Sequence, residues 1–190
     1  MLKLQRNSLL PLTDRYGDLQ QFMRTFDVGN MIRYTEDEQR AVMGNAPTFF
    51  GINSGYQTKA SEAWLCTAWA MLSEYAGNQG KLSDLQIKLL AQATVSEFGW
   101  LKITEFMLFM RKFMSGKYSR IFGKNVDPLK LTDALREFVG ERNEMIARYT
   151  QTEHEEQRKR EQEEHPPITW EEYCRGRGIS EDNPFMTLFK

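Results

Sequence analysis

Two cysteines and two histidines are all that 190 residues hold of the side chains that most often ligate metals or serve as nucleophile and base. Cys66 and Cys174 stand more than a hundred residues apart, with no second cysteine or histidine at ligand spacing, which argues against a disulfide scaffold and a structural zinc site. His154 and His165 fall in or at the end of the most polar stretch of the chain, where a pocket shared with Cys66 is hard to build. Long apolar runs are missing too. The N-terminal run is broken at Pro11 and no eighteen-residue apolar span occurs, so neither an export signal nor a membrane helix is predicted and a reducing cytoplasm is the expected setting. A strong charge of one sign is also absent: the formal net charge is −1, not the profile of a dedicated nucleic-acid binder, although a local patch fits inside a neutral total.

Phosphate-loop chemistry is excluded by spacing. Gly116 and Gly123 are separated by six residues and Lys124 is followed by Asn125, whereas a Walker loop needs four residues between its glycines and a hydroxyl after its lysine. The Glu-rich run 153–164 alternates with Arg and Lys and reads as a solvated helix rather than a carboxylate site. With so little catalytic inventory, no catalytic residue, metal or cofactor is expected, and the chain reads as a binding protein.

Apolar material is plentiful: 41% of the chain is hydrophobic, including twelve Phe and ten Met, enough for one well-packed core. Its spacing is helical throughout. Leu19, Phe22, Met23, Phe26 and Ile32 predict a short amphipathic helix interrupted at Gly29-Asn30. Residues 44–61, with three glycines and a proline, predict a loop. Ser61 is then a candidate cap for a helix carrying Trp64, Leu65, Ala68, Met71, Leu72 and Tyr75, which Gly77 ends. Ser83 with Gln86 reads as a capping box before a face of Leu85, Leu89, Leu90, Ala93 and Phe98. The stretch EFMLFMRKFM after Thr104 is apolar on nearly every side and predicts a buried central helix. Asp127-Pro128 opens a long helix whose seam is Leu131, Leu135, Phe138, Met145 and Tyr149, with Arg142 at the one polar seam position. Beyond Tyr149 only charge pairing continues, Glu155 with Lys159 and Glu156 with Arg160, until His165-Pro166-Pro167. Thr169 with Glu172 reads as a further capping box for a helix with Trp170 and Tyr173. The expected fold is all-α: a helical bundle around a buried central helix, with a long charged C-terminal helix and tail. Its parts are an N-terminal helical segment (1–45), a core domain (46–150) and a charged helix and tail (151–190).

Charge is uneven along the chain. Residues 100–130 hold Lys102, Arg111, Lys112, Lys117, Arg120, Lys124 and Lys130 against Glu105 and Asp127, while residues 151–190 hold ten acidic and six basic side chains. Phe113, Tyr118 and Phe122 are interleaved with the cations. Such a mixture neutralises phosphates and stacks on exposed bases, and makes Arg111, Lys112, Lys117, Tyr118, Arg120, Lys124 and Lys130 the candidate nucleic-acid-binding residues. The alternative is that the aromatics anchor a loop to the core and the lysines are its solvated rim.

From Ala46 to Arg148 the chain carries a set of short motifs: Ala46-Pro47, Trp64-Leu65, Leu72-Ser73-Glu74-Tyr75, Leu101-Lys102-Ile103, Met107-Leu108-Phe109, Phe113, Gly116-Lys117-Tyr118, Phe122-Gly123, Asp127-Pro128, Ala134-Leu135-Arg136-Glu137-Phe138 and Glu141-Arg142-Asn143. In these the chain resembles an uncharacterised family of small helical proteins associated with mobile elements and phages of anaerobic gut bacteria. Ser119 departs from the glycine expected after the tyrosine. The resemblance implies a mobile-element setting and no assigned activity, and small adaptors that recruit a replicative helicase are similar in size and layout.

At the C-terminus Phe185, Met186, Leu188 and Phe189 resemble a sliding-clamp-binding peptide, with Phe185 where glutamine is usual. Exposed Leu and Phe on an acidic tail fit docking into a preformed groove, and a tail folded back on its own domain uses the same residues. The expected function is a non-enzymatic, nucleic-acid-associated accessory or adaptor in replication, with DNA on the basic segment and a replication protein on the tail. A protein-only interaction module is the alternative.

Overall fold

The computed structural model describes residues 11–76, 80–118, 126–164, 172–173 and 176–177, and it is all-α. The chain forms two units, Met1–Ala147 and Arg148–Lys190. The helices are α1 (Leu12–Tyr16), α2 (Leu19–Thr25), α3 (Met31–Thr35), α4 (Glu38–Met43), α5 (Phe49–Tyr56), α6 (Ala60–Ala76), α7 (Asp84–Phe98), α8 (Ile103–Met114) and α9 (Pro128–Glu164), with a 3-10 turn over Val28–Asn30. Among the described residues no helix is long and apolar enough to cross a membrane.

Short polar side chains set the helix starts, because the first N–H groups of a helix lack intrahelical acceptors. Asp18 and Gln21 form a reciprocal capping box at α2, Asp37 caps α4, and Thr48 caps α5. The Ser83–Gln86 box read from the sequence is present at α7. Ser61 does not cap α6. It lies inside that helix, buried, and its N–H donates to Oδ1 of Asn53 at 2.9 Å.

The central helix is α8. Every residue from Ile103 to Met110 is buried, as expected of a segment apolar on all faces. Phe106 meets Phe49, Trp64 and Trp69 edge-on with centroids 5.1–5.8 Å apart, and Phe109 continues the lattice to Tyr118 and Phe138. Each such pair adds about 0.5–1.5 kcal/mol beyond its buried area. The α9 seam closes this core with Leu131, Leu135, Phe138 and Met145 buried, while Tyr149 is only half-buried.

Further expectations change. Residues 44–61 are not simply loop: α5 forms within them because Phe49 and Ile52 are fully buried and Thr48 supplies a cap. Its entry is held by paired backbone. The N–H groups of Phe49, Phe50 and Ile103 donate to the carbonyls of Leu101, Gly99 and Pro47. The α7 face also differs. Leu90, Ala91, Thr94, Val95 and Phe98 are buried, while Leu85 and Leu89 are 65% and 55% exposed and Ala93 is exposed. Its rotation is fixed by Trp69, whose Nε1 donates to Thr94 Oγ1 at 3.1 Å.

Candidate functional site

The basic segment begins on the last turn of α8. The Arg111 guanidinium lies 2.7 Å from Glu38 on α4, and Lys112 Nζ lies 3.3 Å from the other oxygen of the same carboxylate. Glu141 on α9 takes Lys117 at 2.6 Å and Lys112 at 3.8 Å. Three of the cations expected to meet phosphates are thus engaged by two carboxylates of the same unit. Neither carboxylate is near them in sequence, so the count over residues 100–130 could not include them.

Tyr118 corrects the expectation of a base-stacking surface. It is fully buried, its ring 5.8 Å from Phe109, and its hydroxyl donates to Glu141 at 3.4 Å. Burial and the neighbouring Glu141 push its phenol well above the ordinary tyrosine range. Phe113 is buried as well. Phe113 and Tyr118 therefore anchor the segment to the core, with the ion-paired Arg111, Lys112 and Lys117 around them. Lys130 is half-buried on the first turn of α9. Arg120, Phe122 and Lys124 lie outside the described residues, as do Ser119, Trp170, Cys174 and the tail residues Phe185, Met186, Leu188 and Phe189.

A second cluster explains Arg142, the polar residue in the α9 seam. Its Nε donates to Oε1 of Glu105, which is fully buried, and its guanidinium lies 5.0 Å from the Trp100 ring centroid. The other carboxylate oxygen of Glu105 accepts the Lys102 N–H at 2.8 Å, so both are satisfied. Lys102 Nζ donates to the Val42 carbonyl, and burial lowers its pKa, partly offset by Glu105. Among the described residues no buried side-chain polar atom lacks a partner, and those of this cluster find theirs inside the domain. This cluster has the character of a structural clasp.

Sequence reasoning missed a cleft of about 610 Å3 lined by α1, α2, α3 and α4, whose polar walls carry Arg15, Arg33, Arg40, Tyr16 and Tyr34. The Arg15 guanidinium donates to the Tyr16 hydroxyl at 2.9 Å and to the Asn45 carbonyl at 2.6 Å. Phe26 lies 5.2 Å from Tyr16 and 5.3 Å from Tyr34, forming an aromatic floor. Burial raises the Tyr16 pKa, with Arg15 acting against it. The cleft draws its residues from four short helices, the 44–46 segment and Thr104 of α8, with no common period, so no local pattern announces it.

Among the described residues no group of three His, Cys, Asp or Glu side chains is placed to hold a metal ion. Cys66 is a free, partly buried thiol with its pKa raised by burial, the opposite of an activated nucleophile.

A family model described as a family of unknown function (DUF6633) matches residues 81–183, more than half of the sequence, and the chain belongs to that family. The matched span takes in α7, α8 and α9, whereas the arginine-tyrosine cleft, Thr104 apart, lies before it. No curated protein and no solved structure matches the chain.

Proposed function

We propose that this member of the DUF6633 family is a non-enzymatic, nucleic-acid-associated adaptor of a mobile element, acting in replication. The observation that carries the reading is the two-part character of α9. Over its first half the helix seats Leu131, Leu135, Phe138 and Met145 in the core. From Gln151 to Glu164 every residue is exposed, with six carboxylates and three cations and no apolar side chain. A helix polar all round gains nothing from its own domain and suits a charged protein partner. The local pairs along it, Gln151 to Glu155 and Arg160 to Glu156, support its helicity by only a few tenths of a kcal/mol each. The resemblance in the central motifs supplies the mobile-element setting, and a replicative helicase or sliding clamp is the partner it suggests.

A protein-only interaction module is the second reading. It is favoured by the engagement of Arg111, Lys112 and Lys117 with Glu38 and Glu141, which reduces the charge available to phosphates. One experiment separates the two. Fluorescence anisotropy with labelled single-stranded and duplex DNA is expected to give salt-sensitive micromolar binding; no binding at low salt leaves the protein-only module. Retention of a purified replicative helicase on the immobilised chain, lost when Arg158, Lys159 and Arg160 are changed to Glu, tests the adaptor half.

A further inference from the structure

We infer that the cleft between α1 and α4 is a nucleotide-binding site, in which Arg15, Arg33 and Arg40 hold phosphate and the base lies against Tyr16 and Tyr34. The inference stands apart from the adaptor reading, which rests on α9, and it concerns residues outside the basic segment. Three observations support it. The first is size: at about 610 Å3 the cleft is within the range of small-molecule sites and roomy enough for a nucleotide.

The second is unspent charge. Among the described residues no carboxylate lies within ion-pairing distance of Arg15, Arg33 or Arg40, whereas Arg111, Lys112, Lys117, Arg136 and Arg142 each have one. Two carboxylates do line the cleft. Asp37 turns Oδ1 to the Arg40 backbone N–H at 2.9 Å as the cap of α4, and Glu36 is exposed. Three guanidiniums outnumber them. The partners of Arg15 are a phenol and a carbonyl, both neutral, so it is oriented without being neutralised. A guanidinium presents donors in a planar fork that matches phosphate oxygens.

The third is the aromatic lining. The Arg15 guanidinium is 4.9 Å from the Tyr16 centroid and that of Arg33 is 6.0 Å from Tyr34. Guanidinium planes and tyrosine rings are both surfaces on which a nucleobase stacks. Tyr34 is itself held, its hydroxyl donating to the Thr25 carbonyl. The ligand is thus a phosphate joined to a flat aromatic group, taken either from a free nucleotide or from one unit of a single strand.

The test titrates the full chain with a fluorescent ADP analogue and, separately, with a fluorescein-labelled oligothymidylate at low salt. Arg33 and Arg40 are exposed, so Arg33→Ala with Arg40→Ala is expected to melt as the parent does. At least one probe is expected to bind, with affinity falling about tenfold or more in the double variant, as loss of charge-assisted hydrogen bonds implies. Binding of the oligonucleotide alone assigns the cleft to a strand, and binding of the ADP analogue alone assigns it to a free nucleotide. Failure of both probes, or an unchanged affinity in the double variant, overturns the inference. Neither result touches retention of a helicase through α9.

Discussion

Arg142 Nε lies 2.9 Å from Oε1 of Glu105, and this pair ties α9 to a fully buried carboxylate on α8. A fully buried carboxylate is tolerable only while its charge is met. Arg142→Ala is therefore expected to destabilise the fold by about 3–5 kcal/mol, the usual consequence of orphaning one member of a buried pair. Replacing both, as Arg142→Met with Glu105→Leu, is expected to cost less than Arg142→Ala alone. Urea denaturation of the three proteins reads the comparison, and a double variant weaker than the single would contradict the clasp.

Stability is expected to fall at alkaline pH, and Tyr118 is a main source of the fall. Its phenol is raised above the ordinary value of 10.0 by burial first and Glu141 second. Below pH 10 the phenol is protonated in both folded and unfolded chains and contributes no slope. As pH rises past that value the unfolded chain releases the proton and the folded one keeps it, so stability drops. Tyr16 and Tyr56 are shifted in the same direction, both chiefly by burial. Thermal melts from pH 8 to 11 should show the decline, and Tyr118→Phe should flatten it.

Glu141 restrains two cations of the basic segment. Glu141→Gln is expected to lower stability by no more than about 1 kcal/mol, since the Lys117 side chain is 45% exposed. The same change should tighten low-salt DNA binding and steepen its salt dependence by about one unit of slope per freed cation. Anisotropy titrations at several salt concentrations measure both. An unaltered salt slope would remove Lys117 from any phosphate contact, Lys112 being held by Glu38 as well.

Gly99 carries a close approach of α7 to α5. A β-carbon there would stand 2.3 Å from the Phe50 ring and 2.4 Å from the Val95 carbonyl oxygen. Gly99→Ala is expected to destabilise by about 1–3 kcal/mol through overpacking. Phe50→Ala in the same background should recover part of the loss, as seen by differential scanning calorimetry; the Val95 carbonyl is backbone and stays.

The long apolar and polar stretches were legible. The central helix, the Ser83 capping box, the α9 seam and the solvated run after Tyr149 all follow from 3.6-residue periodicity and short-range capping, which are local properties of the chain. The arginine in the seam was legible as an anomaly. Its reason was not, because Glu105 sits thirty-seven residues away on α8.

Amino-acid order by itself determined where the long helices lie and that α8 is apolar on nearly every side, since both depend on neighbours within a turn or two, whereas α5 and the buried face of α7 were set by packing. Only the tertiary structure decided which polar groups are spent. Glu38 and Glu141 meet the basic segment, and Tyr118 leaves the surface for the core. Arg15, Arg33 and Arg40 reach one cleft without a carboxylate partner among the described residues. Charge pairing acts across a few ångströms of space, and those few ångströms join residues separated by up to seventy-three positions of chain.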